Sequence, residues 1–269
     1  MNVNFPDTPE QKNIIELRNI SQSYDGGKSW IIKGLNLLIE DKPNQGQFII
    51  LLGASGSGKS TLLRYIAGLQ KPTEGSVLIK GQPLNDNQRV SMVFQQYSSF
   101  PWMTVLDNVA LALHYQGVEK KERYAQAMNL IELVGLAGHE KKYAQYPALS
   151  GGQLQRVAIA RSLIANPDII LMDEPFGALD IRTRIQMQDM LIELWHKFQS
   201  TIIFVTHDIS EAVYLGDDIY MMKSPPSQII EHIKVDLPLR RDHSTKRDKH
   251  YTELVQSVED TMMKVSELK

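Results

Sequence analysis

Nine consecutive residues, Gly53-Ala54-Ser55-Gly56-Ser57-Gly58-Lys59-Ser60-Thr61, place glycines, a lysine and hydroxyls in the spacing G-x-x-x-x-G-K-[ST]. Glycines at such positions let the backbone turn tightly with its N–H groups facing inward, and a helix opening directly afterwards adds roughly half a positive charge at its N-terminus. A polyphosphate is the natural occupant of such a cradle. Lys59 is placed to bridge the β- and γ-phosphates, and the Ser60 hydroxyl to ligate Mg²⁺, which prefers oxygen ligands in near-octahedral geometry. A Gly/Ser-rich linker shares the composition. It has no use for Gly-Lys-Ser-Thr between a buried strand at 48–52 and a helix at 62–67.

A second chemical group stands at Ile169-Ile170-Leu171-Met172-Asp173-Glu174, an apolar strand ending in two carboxylates. Strand alternation points the two apart, which gives them separate tasks. Asp173 can hold Mg²⁺ directly or through water, and Glu174 can face the γ-phosphate and polarise an attacking water. By itself an Asp-Glu pair after a strand is as good a signal for a turn or a helix start; beside a phosphate loop the catalytic reading takes over.

The elements that must position these groups follow from the patterning. Residues 14–20 and 34–40 read as strands of partial alternation and point to an antiparallel β lobe. Residues 48–52, 90–94, 169–172 and 201–205 are apolar but for Ser91 and Thr201, as strands of a parallel sheet covered on both faces are. Helical stretches lie between them, so the class is α/β with right-handed crossovers and function at the strands' carboxyl ends. Between Phe94 and Ile169 no strand is legible, whereas 104–116 and 119–134 read as helices, the second with Ala127, Leu130, Ile131 and Val134 on one face. This is a helical insertion of about residues 96–165. Residues 1–13, with Pro6, Pro9, Asp7 and Glu10, read as a flexible tail. After the break at Ser224-Pro225-Pro226-Ser227 come a short strand at 228–235 and a charged stretch. Leu254, Val258, Met262 and Val265 then repeat at helical spacing, which makes 224–269 an extension ending in a helix.

Composition excludes several classes. With 29 Lys plus Arg against 31 Asp plus Glu, the chain carries no net basic field for a nucleic-acid backbone, so any anion site must be local. It has no cysteine, hence no disulfide, thiolate metal site or thiol nucleophile. No apolar run approaches the roughly 20 residues of a membrane-spanning helix.

Between the two phosphate-directed motifs stands Leu149-Ser150-Gly151-Gly152-Gln153, and with it the sequence resembles the ATP-binding subunits of ABC transporters. The resemblance runs over about residues 14–235. It implies a P-loop NTPase of the ABC ATPase fold, with an antiparallel β lobe, a mainly parallel core sheet and a helical subdomain, occupying 14–223. The pentapeptide also has a physical reading: Ser150 caps a helix at 153–165, and the glycines bare N–H groups at its positive end. Ser150, Gly151, Gly152 and Gln153 thus form a second phosphate site, idle unless it serves the ATP of another subunit; the pair would grip nucleotide head to tail. The resemblance further assigns Tyr24 to stacking on adenine, and Gln95, after Val93-Phe94, to Mg²⁺ and the attacking water. His207, in Val205-Thr206-His207-Asp208, takes the γ-phosphate, and Asp180, in Ala178-Leu179-Asp180, lies in a segment crossing the dimer interface. Alone, an exposed Tyr, a Gln after a strand or a single His is more often structural. One departure is the stretch 40–47 ahead of the loop strand, longer than the tight turn of the family.

The aromatic-rich connector after Gln95, with Phe100-Pro101-Trp102, is similar to the stretch by which importer ATPases receive a membrane subunit, although Phe100 and Trp102 could instead pack within the helical insertion. With Asp173-Glu174-Pro175-Phe176-Gly177-Ala178-Leu179-Asp180 it looks most like the nitrate, sulfonate, taurine and bicarbonate importer group. The resemblance implies ATP and Mg²⁺ as cofactors. Its partners are a second ATPase subunit, identical or paralogous, two membrane-spanning permease subunits and, through them, an external solute-binding protein. It places the chain peripherally on the cytoplasmic face of the membrane, with no nucleic acid. The competing reading is a soluble ABC ATPase acting on nucleic acid or ribosomes; such relatives carry long coiled-coil insertions or tandem ATPase domains, which this chain lacks. A P-loop kinase gives no reason for residues 149–153.

Overall fold

The computed structural model describes residues 13–42, 45–85, 88–96, 98–223 and 226–267. Of the proposed tail at 1–13, residues 1–12 lie outside the described residues, as does Tyr97 in the connector, whereas Asn13 is buried as the first residue of a strand. In chain order the elements are β1 (Asn13–Gln22), β2 (Ile32–Glu40), β3 (Phe48–Gly53), α1 (Lys59–Ile66), β4 (Glu74–Ile79) and β5 (Gln82–Pro83). Then come β6 (Val90–Val93), α2 (Val105–Tyr115), α3 (Lys120–Leu133), α4 (Gly151–Leu163), β7 (Ile169–Asp173) and α5 (Ile181–Phe198). The chain continues with β8 (Thr201–Thr206), α6 (Ile209–Leu215), β9 (Asp218–Lys223), β10 (Gln228–Lys234) and α7 (Lys249–Glu267). Two compact units result, one of residues 1–88 with 201–269, the other of 89–200.

In the first unit an antiparallel sheet runs β2-β1-β4-β5. In β2, Leu35, Leu37 and Ile39 are buried while Lys33 and Gly34 are exposed, so one face packs and the other meets water. The other sheet of this unit is organised by β3, whose six residues are all buried and which pairs in parallel with both β8 and β9. A strand apolar on both faces needs a cover on each; α1 and α6 both lie against β3. The edge strand β10 runs antiparallel to β9. Residues 228–267 belong to this unit through β10 and through α7, which lies against α6 and β9.

The second unit holds the helical subdomain. Its strands β6 and β7 pair in parallel, Val90 opposite Ile169 and Val93 opposite Met172. Helix α4 is buried nearly all round, through Leu154, Val157, Ala158, Ile159 and Leu163, because it lies against α2, α3, α5 and β6 at once. Helix α3 buries Ala127, Leu130 and Ile131, the face its periodicity marks, and Val134 just past its end is buried too. The mainly parallel α/β architecture with an antiparallel lobe and a helical subdomain is as the sequence leads one to expect. Strands β4, β5 and β9 are additions. β4 is exposed along Glu74, Gly75 and Ser76 and shows no alternation. No helix of the described residues is long and apolar enough to cross a membrane.

Candidate nucleotide-binding site

The first unit presents the glycine-rich loop at the carboxyl end of β3. Gly58 caps α1 in the left-handed region, at φ 83°, and being glycine brings no side-chain acceptor to the first turn. The open N–H groups of that turn therefore remain available to an anion. Ala54, Ser55 and Gly56 are exposed, whereas Ser57 is fully buried. The Lys59 side chain, only 4% exposed, folds back along the loop. Its ammonium donates to the carbonyls of Gly53 and Ala54 at 2.8 Å each and to the Ser57 hydroxyl at 3.3 Å. An ammonium and a helix N-terminus thus converge on one loop, two sources of positive potential that fit a polyphosphate. Ser60 and Thr61 are half-buried in the first turn of α1.

Strand register brings His207 to the same edge. Leu52 of β3 pairs with Thr206 of β8, so His207 leaves its strand beside Gly53, where the loop begins. The turn carrying His207, itself exposed, is pinned by groups that sequence reasoning did not single out. The buried Thr206 hydroxyl donates to Glu211 at 2.6 Å and accepts from the Asp208 amide at 3.0 Å, and Asp208 caps α6 by accepting from the Glu211 amide at 3.0 Å. The pattern Asp208-x-x-Glu211 was the available signal, since an acid three residues before a glutamate marks a helix start. Tyr24 is 65% exposed, with its hydroxyl accepting from Gln70 at 3.0 Å. Its loop is held by Asp25, whose carboxyl is pulled down to about 2 by hydrogen bonds from Ser29, then Ser23.

The second unit gathers the carboxylates and Gln95 by the same logic. Val93 pairs with Met172, so Asp173 and Glu174 emerge beside Phe94 and Gln95 at one sheet edge. Asp173 is 8% exposed and closes β7. Glu174 stands at φ 42°, a left-handed conformation costing about 1–2 kcal/mol for a residue with a Cβ. Its carbonyl accepts from the Gly177 amide at 3.2 Å, so the chain reverses immediately after the two acids. No helix starts there; α5 begins seven residues later, capped by Asp180, whose carboxylate accepts from the Thr183 amide at 3.0 Å. Hydrogen bonds from the Thr183 hydroxyl, and then from its amide, hold the Asp180 carboxyl below its usual range.

Ser150 caps α4, but the helix opens at Gly151 and not at Gln153 as expected from sequence. The reason is a reciprocal capping box. The Ser150 hydroxyl accepts from the Gln153 amide at 3.3 Å while the Gln153 side chain accepts from the Ser150 amide at 2.9 Å, so both glycines fall inside the first turn. Their N–H groups then have no acceptor within the helix. Gly152 is further required by space: a Cβ there would lie 2.6 Å from the Thr183 methyl on α5. The caps of α4 and α5, with Ser150 and Asp180, are neighbours for that reason.

Beyond Gln95, which is exposed, the aromatic connector splits its two rings. Phe100 is half-buried beneath the Arg161 guanidinium, 4.9 Å from the ring centre, whereas Trp102 is 70% exposed. The segment is held by Asn108, fully buried, which accepts from the Phe100 amide at 2.7 Å and donates to the carbonyls of Phe100, Met103 and Thr104. The three carbonyls also accept from the amides of Met103, Ala144 and Asn108, so Asn108→Ala strands chiefly the Phe100 amide and is expected to destabilise the segment by about 1–3 kcal/mol. Hydrogen exchange reads this as faster exchange of the Phe100 amide with α7 unchanged; wild-type protection of that amide would refute it.

A glycine-rich loop joining a buried strand to a helix, with its lysine at the first helical position, defines a P-loop nucleotide-binding protein. The ABC transporter family model matches residues 39–177, and with relatives at about 40% identity over most of its length the chain belongs to the ABC transporter family, as an ATP-binding and ATP-hydrolysing subunit. It is 42% identical to the nitrate import ATP-binding protein NrtD of Synechocystis, covering 88% of this chain and 87% of that one. With the taurine import ATP-binding protein TauB of Pseudomonas aeruginosa it shares 40% identity over 92% and 95% of the two chains. With the aliphatic sulfonates import ATP-binding protein SsuB of Bacillus subtilis it shares 41% over 86% and 88%. Among solved structures it resembles the ATP-binding cassette MJ0796, a dimer in a post-hydrolysis state bound to ADP and Pi. The TM-score is 0.70 at 34% identity, over 83% of this chain and all of that one.

Proposed function

We propose that this subunit powers the import of a small anion of the nitrate, bicarbonate, taurine or sulfonate kind, and that it does so as half of a pair of ATPase subunits. What carries the reading is likeness along nearly the whole chain to three import ATPases whose names specify nitrate, taurine and aliphatic sulfonates. The dimeric state of MJ0796 supports the pairing.

In this reading the loop of Gly53, Ala54, Ser55, Gly56, Ser57 and Gly58, with Lys59, Ser60 and Thr61, holds the phosphates, and Tyr24 stacks on the base. Ser60, Gln95 and Asp173, an all-oxygen donor set of the kind Mg²⁺ prefers, would hold that ion, which would supply charge neutralisation on the phosphate oxygens. Glu174 polarises the hydrolytic water, and His207 and Gln95 orient it against the γ-phosphate. Ser150, Gly151, Gly152 and Gln153 serve the nucleotide of the partner subunit. With its hydroxyl oxygen accepting from Gln153, Ser150 keeps its proton for a phosphate oxygen. Asp180 lies at the boundary between subunits. Exposed Trp102 and its segment receive the permease, on the cytoplasmic side of the membrane.

Co-purification tests the assignment. Recovery with two membrane-spanning subunits and a solute-binding protein, and ATP-dependent anion uptake by that assembly in vesicles, is the expected result. Recovery with nucleic acid or ribosomes, and no membrane subunit, would overturn it.

A further inference from the structure

Helix α6 has seven residues, too few to be stable in water by itself, and it starts two residues after His207. Its inner side is tied to Thr206 through Glu211 as described. Its outer side and its end are held by the C-terminal segment. At the start of α6 the Tyr251 hydroxyl of α7, on a residue 5% exposed, lies 2.9 Å from the Ser210 carbonyl and 2.7 Å from the Ser210 hydroxyl. A phenol has one proton. It goes to the carbonyl, so the serine hydroxyl must donate to the phenol oxygen. Burial, helped by the nearby Asp208 charge, pushes the Tyr251 hydroxyl's ionisation up and keeps that proton in place.

At the other end of α6, Arg241 is 7% exposed and donates through one nitrogen to the carbonyls of Tyr214 at 3.1 Å and Gly216 at 2.8 Å. A guanidinium there complements the negative end of the helix. Its other nitrogen donates to Asp217 at 2.9 Å, and Asp217 accepts from the amide of Phe48, the first residue of β3, at 3.0 Å. Between the two ends the Lys246 ammonium sits 4.1 Å from the centre of the Tyr214 ring. Every one of these groups lies within the first unit. The strand that ends in the phosphate loop and the short helix behind His207 are thus referenced to one segment.

We propose that the C-terminal segment is a positioning device for His207, acting through Tyr251 on the first turn of α6 and through Arg241 on its last. The inference rests on the reading of His207 as the γ-phosphate contact. Tyr251 is the sharper handle, because Tyr251→Phe keeps the ring packed and removes only the two bonds to Ser210. Ser210 is exposed, so water can replace them and the fold persists.

The experiment measures steady-state ATPase activity, MgATP binding and thermal stability on the full-length protein. Tyr251→Phe is expected to lower kcat by about three- to tenfold with KM and the Kd for MgATP unchanged. Val258→Ala, which truncates a buried side chain two turns further along α7, controls for general loosening; it should cost at least as much stability and keep kcat within about twofold of wild type. In a His207→Ala background, Tyr251→Phe should have no further effect. Equal losses of kcat in Tyr251→Phe and Val258→Ala, or a Tyr251→Phe effect that persists without His207, would make the role merely structural and overturn the proposal. Wild-type kcat in Tyr251→Phe alongside a crippled His207→Ala would overturn it while leaving the His207 assignment standing. Wild-type kcat in His207→Ala would remove the assignment itself, and the proposal with it.

Discussion

Glu174→Gln is expected to lower ATP turnover by about 10²-fold or more, the scale lost with a general base, while ATP binding is unchanged. The amide matches the carboxylate in shape, so the left-handed turn and the Gly177 bond to the residue 174 carbonyl should persist. What disappears is the acceptor for the water's proton. Bound ATP then stays intact, and in the proposed head-to-tail pairing, which a shared nucleotide would hold together, the variant should run as a dimer in size-exclusion chromatography with ATP and as a monomer without it. The backbone strain at this residue gives the prediction a structural motive, since a residue with a side chain in the left-handed region persists where the surroundings enforce it. Turnover at the wild-type rate would strip Glu174 of its role.

Lys59→Ala acts earlier, on binding. A hydrogen-bonded ammonium directed at a polyanion contributes about 2–3 kcal/mol, so the Kd for ATP should rise by about 10²-fold, and ATP should no longer raise the thermal stability of the protein at concentrations that saturate the wild type. The two variants separate by assay. Glu174→Gln binds without hydrolysing, whereas Lys59→Ala fails at binding. Because Lys59 also bonds Gly53, Ala54 and Ser57, apo stability must be measured alongside; an unchanged Kd with a lowered melting point would reassign the lysine from ligand to scaffold.

Legibility differed by region for physical reasons. The strands β3, β7 and β8 were plain because a strand covered on both faces must be apolar at every position, which leaves an unbroken run of Ile, Leu, Val and Phe. The start of α2 at Thr104, whose side chain satisfies an amide of the first turn, was legible, whereas the matching cap of α5 by Asp180 emerged only in the structure. The α4 boundary moved by two residues because glycine at 151 and 152 reads as a breaker, and only the capping box together with the Thr183 contact shows why glycine sits within a helix there. β4, although paired with β1 on one side and β5 on the other, was missed since its first three residues are exposed and it shows no alternation. Of the Thr206, Asp208 and Glu211 network only the Asp208-x-x-Glu211 spacing is readable in the sequence, and the clasp of Asn108 on 100–104 not at all, because buried polar residues carry no periodic signal and are recognisable by what they bond.

The sequence by itself determined the phosphate loop, the paired carboxylates, the capped helix with its glycines, and the order of strands and helices around them. These are local: a cradle, a cap and a buried strand each depend on residues within a few positions of one another. Tertiary structure alone decided which strand ends stand side by side, setting His207 next to Gly53 and Gln95 next to Glu174 through register that no single strand encodes. It also decided that Tyr251 and Arg241 close on α6 from beyond β10. Contacts between residues tens of positions apart are chosen by how whole faces pack, and that choice is made by the folded chain as a unit.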